Sequence, residues 1–138
     1  MTTFIDPTRE DFKAFAEMQI AGPVHMLNLI KLREKAVYED GREATGLEAY
    51  RAYGASSEPF FKGNGGSIVW RGKPQFPLIG PQDEHWDIGF IAGYPSKDAF
   101  IAMVLDPGYQ AIVFHRQAAV ETSRLTCFEA AEGGGLFG

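Results

Sequence analysis

"VHMLNLIKL", residues 24–32, decides how the chain folds. Its apolar and β-branched content runs almost without interruption, which predicts a strand covered on both faces. Val24, Met26, Asn28, Ile30 and Leu32 share one face, and His25, Leu27, Leu29 and Lys31 share the other. Upstream, Asp6-Pro7 opens a helix, since Asp can cap and Pro suits the first helical position. That helix places Phe12, Phe15, Ala16 and Gln19 on one side and ends near Gly22-Pro23.

Downstream, residues 33–46 are charged and turn-rich and read as a loop. Leu47, Tyr50, Gly54, Ser57 and Phe61 then recur at helical spacing, and the helix is expected to stop before Pro59. "SIVWRG" (67–72) and "HWDIGFIAGY" (85–94) read as strands around a proline-rich connection. On the second of these, Trp86, Ile88, Phe90 and Tyr94 share one face. Ser96 caps the next helix. "DPGYQAIVFHRQAAV" (106–120) is expected to form one further helix, capped by Asp106 and running to about Glu121. "RLTCFEA" (124–130) closes as a strand, and residues 131–138 form a loose glycine-rich tail.

The order is α, then β-α-β-β-α-β. It predicts an α+β fold of the ferredoxin-like, split βαβ kind, with an antiparallel sheet and an extra N-terminal helix. The 138 residues suit one domain with its core over about 22–130. Helices on one side of such a sheet leave the other side bare, and a homodimer can cover it.

Composition narrows the function classes. Net charge is −5 and no basic stripe occurs, which speaks against nucleic acid and anionic membranes as partners. The N-terminus has no signal-peptide pattern, and the longest apolar run is too short to span a bilayer. The single cysteine, Cys127, leaves no internal disulfide and no Cys-rich zinc site, and reads as a small buried hydrophobe. A cytoplasmic protein is expected by default. No P-loop, dinucleotide fingerprint or nucleophile elbow occurs, so no cofactor is expected.

The combination "GPVHMLNLIKL", "GG" before a strand, "WD", "GYPSKDAFIAM" and "DPGYQAIVFHRQAAVETSRL" resembles the domain-of-unknown-function 1330 family. The resemblance covers roughly 22–130 and is most specific from Pro95 to Leu125. It implies a dimeric α+β barrel built from two ferredoxin-like protomers, and implies no reaction. Cofactor-free monooxygenases and isomerases share the architecture, so their chemistry is fold analogy only.

Arg116 is the residue that breaks the pattern. Tyr109, Val113, Arg116 and Val120 fall within a narrow arc of one helix face. A guanidinium facing a core must be paired or hydrogen-bonded. It either clamps a carboxylate-bearing ligand, or pins the fold through backbone carbonyls or an internal carboxylate such as Asp87, or snorkels to water. His115, beside it, is a candidate base, or else a partly exposed helix histidine. Asn28 is a lone amide on an apolar strand face, either a polar anchor in a ligand cleft or a strand amide. Trp70, Trp86 and Tyr109, with Tyr50 and Tyr53, could wall such a cleft or simply fill the core. His85, Asp87 and His115 imitate a two-His-one-carboxylate iron site on the wrong kind of fold, and no metal is expected. Two readings follow. One is a small-molecule cleft for an organic acid or phenol, capable of cofactor-free proton transfer or oxygenation. The other is a non-catalytic dimeric module.

Overall fold

The computed structural model describes residues 2–138. The chain forms α1 (Arg9–Glu17), β1 (Val24–Leu32), α2 (Gly46–Gly63), β2 (Ser67–Gly72), β3 (Ile88–Tyr94), α3 (Lys97–Leu105), α4 (Pro107–Ile112), α5 (Phe114–Ala119) and β4 (Val120–Glu129). The four strands make one antiparallel sheet in the order β2-β3-β1-β4, the split βαβ arrangement.

The stretch 24–32 is central, paired with β3 on one side and β4 on the other. Val24, Met26, Asn28 and Ile30 are buried beneath the helices, and the residues between them are half-buried. One hydrophobic cluster forms around Val24, Met26, Tyr94, Phe100 and Met103. A second forms around Ile30, Tyr38, Ala118, Ala119 and Val120. Asn28 lies on β1 between them.

Among the described residues, no helix covers the other sheet face. Val69, Trp70 and Phe128 are each about half exposed there, at 50%, 53% and 49%.

Several elements depart from the sequence expectation. α1 begins later, because Thr8 and not Asp6 is its cap: the Thr8 hydroxyl accepts from Asp11 N at 3.0 Å. α2 continues through Pro59 to Gly63. Proline removes one hydrogen bond and frees the carbonyl four residues back. Pro59 and Ala55 are both exposed, so water can serve that carbonyl. Phe60 and Phe61 beyond it pack on the core, which holds the last turn in place.

The helix expected over 106–121 is two short ones. Its turn at Val113 is tightened by Arg116 N donating to Val113 O at 3.0 Å, three residues back. β4 starts at Val120, four residues earlier than the apolar pattern suggests. Thr122 and Ser123 are buried there because the N-terminal segment bonds to them. Phe4 N donates to Thr122 Oγ1 at 3.0 Å, and Ser123 N donates to Phe4 O at 2.7 Å. Residues 131–138 hold no helix or strand.

α1 buries none of its residues. Its C-terminal end is tied by the buried Lys97, whose ammonium donates to Ala16 O at 2.6 Å and Met18 O at 2.5 Å. A cation suits the negative end of a helix. Phe15 adds an edge-on contact to Phe100.

Candidate functional site

Between the helices and the inner sheet face lies a cleft of about 1180 Å³. That is large enough for a small organic ligand. Its floor is set by strand register. Arg71 pairs with Phe90, Phe90 with Asn28, and Asn28 with Leu125, so one row crosses all four strands, and all four residues line the cleft. Arg71 belongs to this row because of a register shift in β2 between Ile68 and Trp70. Strict alternation would set Ile68 with Trp70 and Val69 with Arg71. The bulge instead brings Ile68 and Arg71 to the inner face.

Asn28 is 91% buried, at 9% exposure. Its Nδ2 donates to Met26 O at 3.0 Å, and no partner is found for its amide oxygen among the described residues. That oxygen is accessible from the cleft, where it can accept from a donor.

The wall opposite is aromatic. Asp106 caps α4, its carboxylate accepting from Gly108 N at 2.7 Å. A side chain at Gly108 would meet the outer edge of the Phe60 ring at 2.4 Å, so the ring would have to shift to admit one. This start turns Tyr109 inward. The Tyr109 and Tyr53 hydroxyls lie 2.8 Å apart, and Tyr50 packs on Tyr53. Burial pushes the phenols of Tyr50, Tyr53 and Tyr109 well above the ordinary tyrosine value, while the Arg116 charge works weakly the other way. At neutral pH all three are therefore protonated, and serve as hydrogen-bond donors or acceptors, not as bases.

Arg116 also lines the cleft, with Tyr109 and Val113 beside it. Its side chain is 11% exposed. The guanidinium donates to Ile5 O through Nη1 and to Ser123 Oγ through Nη2 at 3.2 Å. Asp6, at 3.9 Å, is the nearest carboxylate, and Gln117 Nε2 donates to the same Asp6 at 3.2 Å. The suggested partner Asp87 is elsewhere: it accepts from Leu32 N at 2.8 Å and holds the start of β3 to the end of β1.

The structure thus brings Asn28, Tyr109 and Arg116 into one cleft and leaves three of the sequence candidates outside it. Trp70 faces the bare side of the sheet, opposite Ile91. Trp86 lies under the Arg124 guanidinium, 5.2 Å from its ring centre. His115 turns away: its Nδ1 meets the Tyr38 hydroxyl at 2.7 Å, and its ring packs on Phe114. Burial, with the Arg42 charge second, holds the His115 imidazole below the ordinary histidine value, so near neutrality it is uncharged and Tyr38 donates to it. Since His115 and Asp87 have separate partners, they do not form the imitation iron site. Cys127 is half-buried, opposite Met26, and burial pushes its thiol up.

Cations that the sequence did not single out also line the cleft: Arg9 and Lys13 from α1, and Arg71 from β2. None of the three has an ion pair among the described residues.

None of the curated proteins matches the chain. Among solved structures, RPA0582, a protein of unknown function from Rhodopseudomonas palustris, is 53% identical. The match covers 96% of this chain and 100% of that one, with a TM-score of 0.91. Two distant structures share the fold. SnoaB, a cofactor-independent oxygenase from Streptomyces nogalater, is 19% identical over 82% of this chain and 97% of that one, with a TM-score of 0.53. A dimeric protein of unknown function with a ferredoxin-like fold from Bacteroides fragilis is 18% identical over 81% and 100%, with a TM-score of 0.51. The model of the family described as Domain of unknown function (DUF1330) matches residues 42–130, and with the fold and the near relative in agreement, the chain belongs to that family.

Proposed function

We propose that the protein binds a small organic acid or phenol-like molecule in the cleft between the sheet and the helices. The observation that carries this is Asn28, a buried amide with an unused oxygen on the floor of a roomy, mostly apolar cavity. Convergent polar groups in an apolar cleft are the usual make-up of a ligand site.

Cofactor-free proton transfer or oxygenation, the chemistry that SnoaB's description brings into view, would need a group to take a proton from the ligand. Among the described residues no histidine lines this cleft, and the two carboxylates that do, Asp6 and Glu58, each face a cation. The geometry favours binding over turnover.

A thermal-shift screen of organic acids and phenols tests the reading. Leu125→Trp, which fills the cleft floor with a large ring, should abolish any stabilisation found while leaving the fold intact. Ligands that stabilise the variant as well as the parent would place binding elsewhere, and a broad screen without a hit would sink the reading.

We also infer a homodimer that packs the bare sheet faces together. Val69, Trp70 and Phe128 make that face apolar, and a covered sheet is what the near-continuous hydrophobicity of 24–32 calls for. Trp70→Glu should convert the protein to a monomer in light scattering at micromolar concentration. A monomeric parent would contradict the inference.

A further inference from the structure

The chain is acidic overall, yet this cleft is not. Arg9, Lys13, Lys62, Arg71 and Arg116 line it against only Asp6 and Glu58, in a protein of net charge −5. Lys62 is taken by Glu58 at 3.0 Å. Arg116 is held by Ile5, Ser123 and Asp6. Among the described residues, the lining cations without an ion pair are Arg9, Lys13 and Arg71. Of these, only Arg71 stands on the sheet floor.

Its place in the row gives it further meaning. Arg71, Phe90 and Asn28 are successive cross-strand neighbours on one face. Strands lie about 4.8 Å apart, so the outer two backbones are roughly 10 Å from each other across the Phe90 position. The three side chains offer a cation with five donors, an aromatic surface and an amide acceptor open to the cleft, in that order. A complementary molecule has an anion, a ring and a hydroxyl or N–H donor, also in that order.

We propose that the cleft takes a hydroxyaryl carboxylic acid laid along this row. Its carboxylate sits on Arg71, its ring on Phe90, and its hydroxyl donates to Asn28 Oδ1. This rests on the cleft reading above and assigns the anion to Arg71 instead of Arg116. The free cations of α1 add attraction at the rim, where opposite charge raises the rate of encounter.

Calorimetric titration of the full chain with three probes tests the assignment: 4-hydroxyphenylacetate, its methyl ester, and 4-methoxyphenylacetate. The free hydroxy acid should bind tightest. The ester, lacking the anion, and the methoxy acid, lacking the donor, should each bind about tenfold more weakly, as expected for one charge-assisted or one buried hydrogen bond. Arg71→Gln, an exposed position, should weaken the acid about tenfold and leave the ester unchanged. Asn28 is tested from the ligand side, so no variant of that buried residue is needed. Equal affinities for acid and ester, or an Arg71→Gln protein that still prefers the acid, would overturn the assignment of the anion to Arg71 while leaving the cleft reading standing. Equal affinities for the hydroxy and methoxy acids would overturn the role given to Asn28. If none of the three binds, the proposal fails, and the Leu125→Trp screen then decides separately whether the cleft is a ligand site at all.

Discussion

Arg116→Ala should lower the stability of the protein by about 3 kcal/mol and its Tm by roughly 10 °C. The guanidinium is almost wholly buried and bonds both Ile5 O and Ser123 Oγ. A hydrogen bond to a charged group contributes about 1.5–3 kcal/mol, and its loss leaves the other partner short. Asp6 adds little, being half exposed and 3.9 Å away. The expected damage is local: the N-terminal segment should come away from β4, which hydrogen exchange at Ser123 N would register. Arg116→Met is the sharper control, since it keeps the apolar stem and removes only the fork. Full stability in that variant would mean that the guanidinium is not the tie. It would leave open a role toward a ligand, which the probes above measure independently.

Gly46→Ala should cost about 3 kcal/mol or more, although alanine is the better helix former. Gly46 begins α2 and is buried. An added Cβ would stand 1.9 Å from Arg33 O and 2.9 Å from Arg33 C. These are backbone atoms, so no rotamer change relieves the clash. Over-packing usually costs about 1–3 kcal/mol, and a fixed neighbour puts this case at the upper end. Movement is further opposed by Gly46 N donating to Glu34 O at 3.3 Å and by the bridge between Lys35 and Thr45. Gly54, in the same helix, has nothing within 4 Å of its would-be Cβ. Gly54→Ala should therefore gain up to about 1 kcal/mol from propensity alone. Opposite signs in denaturant unfolding, at unchanged slope, are the expected result. A neutral Gly46→Ala would show that residues 33–45 yield easily.

The strands and their order were legible because their signals are local. β2 was read at its observed ends, and the alternation on 24–32 separated the two faces correctly. What failed to show depended on contacts far apart in sequence. Thr122 and Ser123 look like loop residues until Phe4 supplies their hydrogen bonds. Asp6 looks like a helix cap until Arg116 and Gln117 turn out to face it.

The site was half legible for the same reason. Asn28, Tyr109 and Arg116 stood out as polar groups, or as a ring, on apolar stripes, and stripes are a local pattern. The sequence points to Trp70 for the cleft, whereas the residue that lines it is Arg71. One bulged residue exchanges their faces, and nothing in "SIVWRG" marks it. His115 sits beside the stripe, and its ring goes to the Tyr38 hydroxyl, a partner 77 residues away that no local pattern marks.

The two tyrosine hydroxyls in the wall have a consequence of their own. They are 2.8 Å apart, both protonated, and either can be the donor. Whichever donates uses its only hydrogen on the other, and the acceptor keeps its own to point elsewhere. The pair therefore presents a single spare hydrogen to the cavity. Reversing the bond moves that hydrogen from one ring to the other without displacing a heavy atom. A guest offering a lone pair at either place would find it met, so this wall accommodates two positions of an oxygen atom with one arrangement of carbon.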